Sequence, residues 1–293
     1  MTLPRLTGGA ARLRERLARN SIVVAPGAAD ALAARLVTDI GFDAVYMTGL
    51  GATASRLGHP DLGLLTQTEM AEHARAMVRA TPLPVIADAD TGYGGPLNIM
   101  RTVQEYAQAG VAALHIEDQV SPKRCGQLAG IRLLERSEAA RRLAAAIDAR
   151  AAIDCDLVII GRTDALQAEG LAAALDRARA YRELGVDLLF VDGVRTRAEV
   201  EAIAASLSGP KVISLVDGTD AATVTIAELE QMGFAVVLYA VTQLFAAMAA
   251  ARQALAHLKA AGAPAALDGR LGYAEYAQIV GLSEMQAFAH RHE

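Results

Sequence analysis

The sequence is poor in cysteine and in aromatic residues, and it contains no tryptophan. Its two cysteines, Cys125 and Cys155, stand in different surroundings. The basic N-terminus lacks the apolar core of a secretory signal and instead predicts a leading helix from Ala10 to Ala18. Without an export signal we expect a cytoplasmic, reducing environment and no disulfide bond.

A long apolar run and a basic cluster are also missing. No stretch reaches the roughly 18–20 uncharged residues that a membrane-spanning helix needs. The formal net charge is -5 and the pI is near 5.7, with Lys and Arg spread among acidic residues. Because nucleic acids and anionic membranes attract basic surfaces, we expect neither as a partner. A small molecule is the expected ligand.

Short apolar runs typical of strands alternate with amphipathic helical patterns from about Ser21 to Ala261. Gly110 and Gly185 end two of the helical stretches just before the next strand. Eight β-then-α units in series predict an α/β fold, a closed (β/α)₈ TIM barrel with extra N- and C-terminal helices. No GxGxxG supports a dinucleotide-binding alternative. We expect one domain over 1–293, in which 262–293 is a C-terminal helical extension. The predicted strands are 21–26, 43–49, 84–90, 112–118, 157–164, 187–193, 211–217 and 235–240.

Polar side chains are predicted to converge where successive strands end. Because strand side chains alternate between two faces, each strand has an inward and an outward row. Barrel enzymes place their active sites at the C-terminal ends of the strands. The predicted inward groups there are Tyr46 and Thr48, Asp88 and Asp90, His115 and Glu117, Arg162, and Asp192.

Three of these groups, Asp88, Asp90 and Glu117, predict a metal site. Mutual repulsion in a half-buried pocket would raise their pKa values or destabilise the fold unless a cation lies among them. Carboxylate oxygens suit Mg²⁺ or Mn²⁺, although a single carboxylate after a strand is more often a helix cap or an ion-pair partner. His115 fits a packed core as well as a functional role. Arg162 could neutralise the acids or clamp a substrate carboxylate, and we favour the clamp.

Segment 121–130 predicts a mobile loop over the barrel mouth. Lys123 and Arg124 immediately precede Cys125, so an exposed thiol with a lowered pKa is expected there. Cys125 is therefore a candidate proton donor or acceptor, whereas Cys155 precedes a buried strand and is expected to be inert.

The motifs together resemble the isocitrate lyase and phosphoenolpyruvate mutase superfamily, nearest to 2-methylisocitrate lyase-like C–C lyases. The resemblance covers about Ser21 to Met248 and implies Mg²⁺, a small 2-oxo or 2-hydroxy carboxylic acid as substrate, and a homotetramer that exchanges a C-terminal helix. The motifs that carry it are VYMTGLGA (45–52), PDLG (60–63), DADTGYGG (88–95), LHIEDQVSPKRCG (114–126), GRTDA (161–165) and LFVDG (189–193).

The resemblance also implies roles for individual residues. Arg162 and the Thr48–Leu50 turn would hold the oxo-acid carboxylate, Tyr46 would act as a base, and Cys125 would protonate the departing carbanion. The catalytic candidates are Cys125, Tyr46, Lys123 and His115. The substrate-binding candidates are Thr48, Gly49, Leu50, Asp88, Gly126, Gln127, Arg162, Asp192 and Ser214. The metal candidates are Asp61, Asp88, Asp90 and Glu117.

Three positions depart from the lyase pattern. Gln127 stands where the lyase loop has histidine, Asp192 replaces a glutamate, and Ser214 replaces an asparagine. Each lost hydrogen bond should weaken binding of a second or third carboxylate by roughly 1–3 kcal/mol. A substrate other than isocitrate or 2-methylisocitrate is therefore expected.

The expected activity is retro-aldol cleavage of a 2-hydroxy di- or tricarboxylic acid to a 2-oxo acid. Decarboxylation or hydrolysis of oxaloacetate is the alternative, because it needs the same oxo-acid subsite and only one further carboxylate. Phosphonopyruvate chemistry is less favoured because Cys125 stands in the loop. A non-catalytic oxo-acid-binding barrel is disfavoured by the acid cluster and the thiol.

Overall fold

A computed structural model describes residues 8–19, 21–265 and 267–293. In these ranges eight parallel strands pair in chain order, and the last pairs with the first to close a barrel. This confirms the predicted fold class. The strands are β1 (Val23–Ala28), β2 (Val45–Met47), β3 (Val85–Asp88), β4 (Ala113–Glu117), β5 (Val158–Thr163), β6 (Leu188–Val191), β7 (Lys211–Ser214) and β8 (Val236–Tyr239).

Helices surround the barrel and extend beyond it. Thirteen α-helices lie in the described ranges, and a short 3₁₀ turn spans Asp220–Thr223. The helices are α1 (Gly9–Leu17), α2 (Ala31–Ile40), α3 (Gly49–Leu57), α4 (Gln67–Ala80), α5 (Pro96–Ala109), α6 (Arg136–Ala152), α7 (Ala165–Glu169), α8 (Leu171–Glu183), α9 (Arg197–Ser206), α10 (Ile226–Gln231), α11 (Thr242–Ala261), α12 (Tyr273–Val280) and α13 (Leu282–His290).

Alternation along the strands separates two apolar layers. One cluster lies inside the barrel and contains Tyr46, Ile160 and Phe190. The other lies between the strands and the helices and contains Met47 and Ile116. The inward position predicted for Tyr46 is therefore confirmed. The two layers leave the strand ends as the place where polar side chains can gather.

The predicted leading helix is α1, which covers the end of the barrel opposite those strand ends. Leu13 is fully buried in the inner cluster. Arg14 bonds to the backbone oxygen of Asp156 and to the carboxylate of Asp187, which lie just before β5 and β6. The helix therefore closes the N-terminal end of the strands and leaves the other end for a site.

Helix ends follow local sequence signals. Thr66, Thr196 and Thr225 each form a capping box with the glutamate three residues later. Gly110 ends α5 in the left-handed region, at a φ of 86°, and Gly185 follows α8 at 89°. Both positions confirm the predicted helix termini, because residues with a Cβ are strained at such angles.

The three C-terminal helices differ from the rest. None of the residues of α11, α12 and α13 is buried in the single chain. Several apolar side chains are exposed on them, including Met248, Leu255, Tyr273 and Met285. Among the described residues, every helix is too short or too polar to span a membrane.

Candidate active site

A cavity of about 180 Å³ opens at the C-terminal ends of the strands. It is smaller than the 300–1,000 Å³ typical of drug-sized sites, so it suits a small metabolite. Sequence-predicted residues that line it are Tyr46, Thr48, Leu50, Asp61, Asp88, Lys123, Cys125, Gly126, Gln127, Arg162, Asp192 and Ser214.

Four predicted site residues lie behind this wall. Asp90 and Glu117 are buried beneath the mouth, and His115 is fully buried. Gly49 faces Asp88, to whose Oδ2 its N–H donates at 3.2 Å. These four residues do not line the cavity, so they can affect a bound ligand through the residues in front of them.

Lys123 is the centre of the acid cluster. Its Nζ lies 2.7 Å from each carboxylate oxygen of Asp61 and 2.7 Å from Oδ1 of Asp90. Burial lowers the pKa of Lys123, but Asp90 and the other acids raise it well above its ordinary value. The sequence predicts a cation among these acids, and in this structure the ammonium of Lys123 supplies positive charge beside Asp61 and Asp90. Sequence reasoning missed this because it treated Lys123 as part of an exposed loop.

The acids beneath Lys123 are electrostatically different from one another. Burial alone would raise the pKa of Asp88, but electrostatic interactions with His115, Lys123 and Arg162 lower it to about 2. Burial is the main cause that raises the pKa of Asp90 to about 6. Lys123 opposes this shift, whereas the negative charges of Asp88 and Asp61 add to it. Burial likewise raises the pKa of Glu117 well above its ordinary value.

Glu117 has carboxylate oxygens that accept no hydrogen bond. Both of its carboxylate oxygens are buried without a hydrogen-bond partner. The nearest cation is Nε of Arg162, 3.4 Å from Oε2, which is an ion pair without hydrogen-bond geometry. Such unsatisfied buried oxygens require an explanation, and a bound cation would provide one.

The residues present fit a magnesium ion chemically. Within the described ranges no three His, Cys or acidic side chains are already arranged around one metal position. However, Asp61 and Asp88 face the cavity and Glu117 offers unpaired oxygens. Carboxylate oxygens are hard ligands that Mg²⁺ prefers, with water completing its shell. An ion bound at Asp61 or Asp90 would share these carboxylates with Lys123.

Arg162 is both a neutralising group and a cavity wall. Its Nη2 donates to Asp164 at 2.9 Å and to Asp192 at 2.6 Å, and its Nε reaches Asp164 at 3.3 Å. The guanidinium carbon lies 5.3 Å from the centroid of Phe190. Within the described residues these bonds leave Nη1 for a ligand carboxylate, so the two predicted roles are compatible.

Tyr46 and His115 form a buried pair at the cavity floor. The Tyr46 hydroxyl lies 3.0 Å from Nε2 of His115, whose Nδ1 lies 3.7 Å from Oδ1 of Asp88. Burial lowers the pKa of His115 to about 4 despite the charge of Asp88. Burial also raises the pKa of Tyr46 well above its ordinary value. At neutral pH both groups are uncharged, and only Tyr46 lines the cavity.

The middle of loop 121–130 is packed against the site: Lys123 and Gly126 are buried and Cys125 is half-buried, so the predicted exposure of the thiol is only partial. Gln119 accepts a bond from the Arg124 N–H at 2.9 Å and donates to its carbonyl at 2.8 Å. The Cys125 N–H donates to the carbonyl of Asp61 at 3.1 Å. These bonds hold the loop backbone over the acid cluster.

The predicted lowering of the Cys125 pKa is also wrong. Burial raises the pKa of this half-buried thiol to about 11, although the Gln127 N–H opposes the shift. The neighbouring cations do not help, because Lys123 points into the acids and the Arg124 guanidinium bonds to the carbonyl of Ala129. The thiol is therefore protonated at neutral pH.

Two glycines permit the backbone to approach the charged groups closely. A Cβ added at Gly126 would lie 2.2 Å from Oδ2 of Asp192 and 2.9 Å from Nη2 of Arg162. A Cβ at Gly49 would lie 2.5 Å from Oδ2 of Asp88. Any larger residue would displace these side chains, so both positions require glycine for packing.

Sequence reasoning missed an apolar wall of the cavity, formed by Val216, Ala240, Val241 and Phe245. These residues follow the ends of β7 and β8 and enter the first turn of α11. All four are apolar, so no polar residue in the sequence indicates that they line a ligand site. Only their position just after two predicted strands could have indicated it.

The family model described as phosphoenolpyruvate phosphomutase matches residues 13–259. The chain belongs to this family. Of its relatives, 2,3-dimethylmalate lyase of Eubacterium barkeri is 40% identical over 97% of this chain and 98% of its own. The 2-methylisocitrate lyase of Halalkalibacterium halodurans is 42% identical over 80% of this chain and 76% of its own. The resemblance drawn from the sequence motifs is thus confirmed.

Solved structures of the family share the whole architecture. Oxaloacetate acetylhydrolase with the inhibitor 3,3-difluorooxalacetate superimposes with a TM-score of 0.92 at 36% identity, covering 97% of this chain and 96% of that one. Phosphonopyruvate hydrolase with oxalate and Mg²⁺ gives a TM-score of 0.87 at 29% identity, covering 97% and 98%. The family therefore includes enzymes whose substrates differ on one barrel.

Proposed function

We propose that this protein is a Mg²⁺-dependent carbon–carbon lyase that cleaves a small 2-hydroxy dicarboxylic acid to a 2-oxo acid. The observation that carries the proposal is the meeting of three groups in one cavity: the Cys125 thiol, the Arg162 guanidinium and the carboxylates of Asp61 and Asp88. The relatives named as lyases at about 40% identity support it.

The carboxylate next to the hydroxyl would bind between Arg162 and the start of α3. Nη1 of Arg162 is available, and Thr48 caps α3 with its own oxygen. The first N–H groups of a helix attract anions, and Leu50 lies in that turn and lines the cavity. Asp61, Asp88, Asp90 and Glu117 would hold Mg²⁺, directly or through water. When bound, the ion would lower the pKa of the substrate hydroxyl and offset negative charge.

Tyr46 lines the cavity and is the group to which we assign removal of the hydroxyl proton. A neutral phenol can accept that proton only if it passes its own to an acceptor behind it. Nε2 of His115 lies 3.0 Å away for this purpose, and Nδ1 faces Asp88. We therefore assign Tyr46 as the contact group and His115 as a positioning residue.

Cys125 is suited to the next step because its thiol carries a proton at neutral pH. After the bond between C2 and C3 breaks, the electron pair stays on C3 of the departing carboxylic acid. The S–H of Cys125 supplies the proton that completes that product. The packed loop keeps water away while the carbanion exists.

Substitution of Cys125 tests this assignment. Cys125→Ser should lower kcat by about 10²–10⁴-fold while calorimetry shows unchanged Mg²⁺ binding. Cys155→Ser is the matched control and should retain full activity. Full activity of Cys125→Ser would show that another group protonates the carbanion.

Hydrolysis or decarboxylation of oxaloacetate is the second candidate. It is favoured by the similarity to oxaloacetate acetylhydrolase and by the neutral side chains of Gln127 and Ser214 in the cavity. A product screen separates the candidates. Cleavage of a 2-hydroxy acid yields a 2-oxo acid, hydrolysis of oxaloacetate yields oxalate and acetate, and decarboxylation yields CO₂.

The quaternary structure is a further part of the proposal. We infer one domain over 1–293 with residues 262–293 as an extension, and a homotetramer in which C-terminal helices are exchanged. The exposed apolar side chains of α11–α13 support this, since such surfaces are usually covered by a partner.

A further inference from the structure

We propose that Gln119 is a positioning residue that couples the closure of loop 121–130 to the orientation of Arg162. The carboxylate of Asp164 is the link between them. This inference rests on the proposed function, which assigns Arg162 to the substrate carboxylate and the loop thiol of Cys125 to the proton. Gln119 is buried and does not line the cavity, so its effect on a ligand is exerted through these neighbours.

The backbone of Gln119 is fixed at the base of the loop. Gln119 pairs with Leu133 in an antiparallel bridge, across the two ends of the loop. The N–H of Val120 donates to the carbonyl of Arg132 at 2.8 Å and closes the same base. The side chain of Gln119 therefore reaches the loop from a fixed stem.

The Gln119 amide uses all of its polar groups. Its Oε1 accepts a bond from the Arg124 N–H at 2.9 Å. Its Nε2 donates to the Arg124 carbonyl at 2.8 Å and to Oδ2 of Asp164 at 3.1 Å. Only this orientation of the amide satisfies all three bonds, because the N–H cannot accept and the two oxygens cannot donate. One rigid group thus holds the residue before Cys125 to Asp164.

Asp164 holds Arg162 with its other carboxylate oxygen. Oδ1 of Asp164 accepts bonds from Nη2 of Arg162 at 2.9 Å and from Nε at 3.3 Å. The backbone N–H of Asp164 donates to Oδ1 of the buried Asp118 at 2.9 Å, which fixes the end of β5. Because one carboxylate serves both the guanidinium and Gln119, a change at either partner is felt by the other.

A second contact places the loop on the same ion pair. A Cβ added at Gly126 would lie 2.9 Å from Nη2 of Arg162 and 2.9 Å from Oδ1 of Asp164. The loop backbone therefore lies directly on this pair. A ligand carboxylate that fixes Arg162 should favour the closed loop, and the closed loop should favour the ligand, since coupling between two events is reciprocal.

Gln119→Leu tests the loop contact in the ligand-free protein, because it removes the three amide bonds. We expect tryptic cleavage after Arg124 to be about 10-fold faster than in wild type. Thr81→Val is the control, since the buried Thr81 hydroxyl bonds to Thr38 at 2.6 Å and to the Leu83 N–H at 3.0 Å, between α2 and the end of α4. Unchanged cleavage in Gln119→Leu, or an equal increase in both variants, would overturn the proposal.

Oxalate with Mg²⁺ is the probe for the coupling itself, since phosphonopyruvate hydrolase was solved with both. Saturating oxalate should slow cleavage after Arg124 about 10-fold in wild type and less than about 3-fold in Gln119→Leu. Calorimetry should show that this variant still binds Mg²⁺ as tightly as wild type. Equal protection of the two proteins would overturn the coupling. Failure of wild type to bind oxalate would instead contradict the proposed oxo-acid site, while the ligand-free cleavage rates would still decide on the loop contact.

A charge-compensating pair of substitutions separates bonding from packing. Gln119→Glu keeps the shape of the side chain but sets a carboxylate against that of Asp164, so cleavage after Arg124 should again be about 10-fold faster. Adding Asp164→Asn restores a donor opposite the new carboxylate and should slow cleavage by at least about 3-fold. Effects of the two substitutions that simply multiply would contradict the direct link.

Discussion

Lys123 shows how one side chain can change the electrostatics of a whole site. It is buried, and it forms ion pairs of 2.7 Å with Asp61 and with Asp90. Because the ammonium compensates these carboxylates, we expect the protein to fold without a divalent ion. Mg²⁺ and Lys123 would then compete for the same oxygens.

Lys123→Met should therefore destabilise the metal-free protein and make its stability depend on Mg²⁺. Removing one partner of a buried ion pair lowers the free energy of unfolding by about 3–5 kcal/mol. Mg²⁺ that binds only the folded state restores part of this stability. Urea denaturation with and without Mg²⁺ measures both effects. Lys259→Met, on the exposed helix α11, is the control. Equal stability of wild type and Lys123→Met without Mg²⁺ would contradict the role of Lys123.

The Cys125 thiol provides a prediction of pH dependence. With a pKa raised to about 11, it remains protonated below that pH, and the reactive thiolate appears only as the pH approaches 11. In a Cys155→Ser background, alkylation at pH 8 should be about 100-fold slower than for an ordinary thiol. The rate should rise tenfold per pH unit through pH 10. A rate that levels off below pH 9 would show that the thiol is activated instead.

At the scale of elements, loop 121–130 depends on glycine for its close packing. Gly126→Ala would place a Cβ 2.2 Å from Asp192, so the loop must move away from Arg162. We expect a loss of kcat of at least about 10-fold, little change in Mg²⁺ affinity, and faster tryptic cleavage after Arg124. Gly130→Ala is the comparison, because its Cβ would meet the flexible side chain of Arg124, although its φ of 83° adds strain. Unchanged cleavage and kcat in Gly126→Ala would show that the loop does not need this contact.

The strands and the convergence of their polar ends could be predicted from the sequence, because alternation along a strand is a local pattern. Tyr46, Asp88 and Arg162 were placed in this way, and each lines the cavity. The inward direction of Lys123 and the high pKa of Cys125 could not be predicted. Both depend on where the loop packs, which is decided by long-range contacts such as those of Lys123 and of the Cys125 N–H with Asp61. The apolar wall was missed for a related reason, since apolar residues after a strand look like ordinary core.

For the whole molecule, the uncovered helices α11–α13 predict self-association. The chain mass is 30.6 kDa, and sedimentation should show a species of four chains. Met285→Asp and Phe288→Asp together, on α13, should shift the equilibrium toward smaller species by placing charge in an apolar contact. Arg291→Asp, at the exposed end of the same helix, is the control. A wild-type protein that sediments as a monomer at micromolar concentration would contradict helix exchange.

The most direct test of the lyase assignment is Mg²⁺-dependent cleavage of 3-methylmalate in D₂O, followed by mass spectrometry. We expect equal amounts of a 2-oxo acid and of propionate that carries one deuterium at the former C3, with activity abolished by a chelator and restored by Mg²⁺. Absence of any 2-oxo acid from a panel of 2-hydroxy acids, together with rapid formation of oxalate or CO₂ from oxaloacetate, would contradict the account.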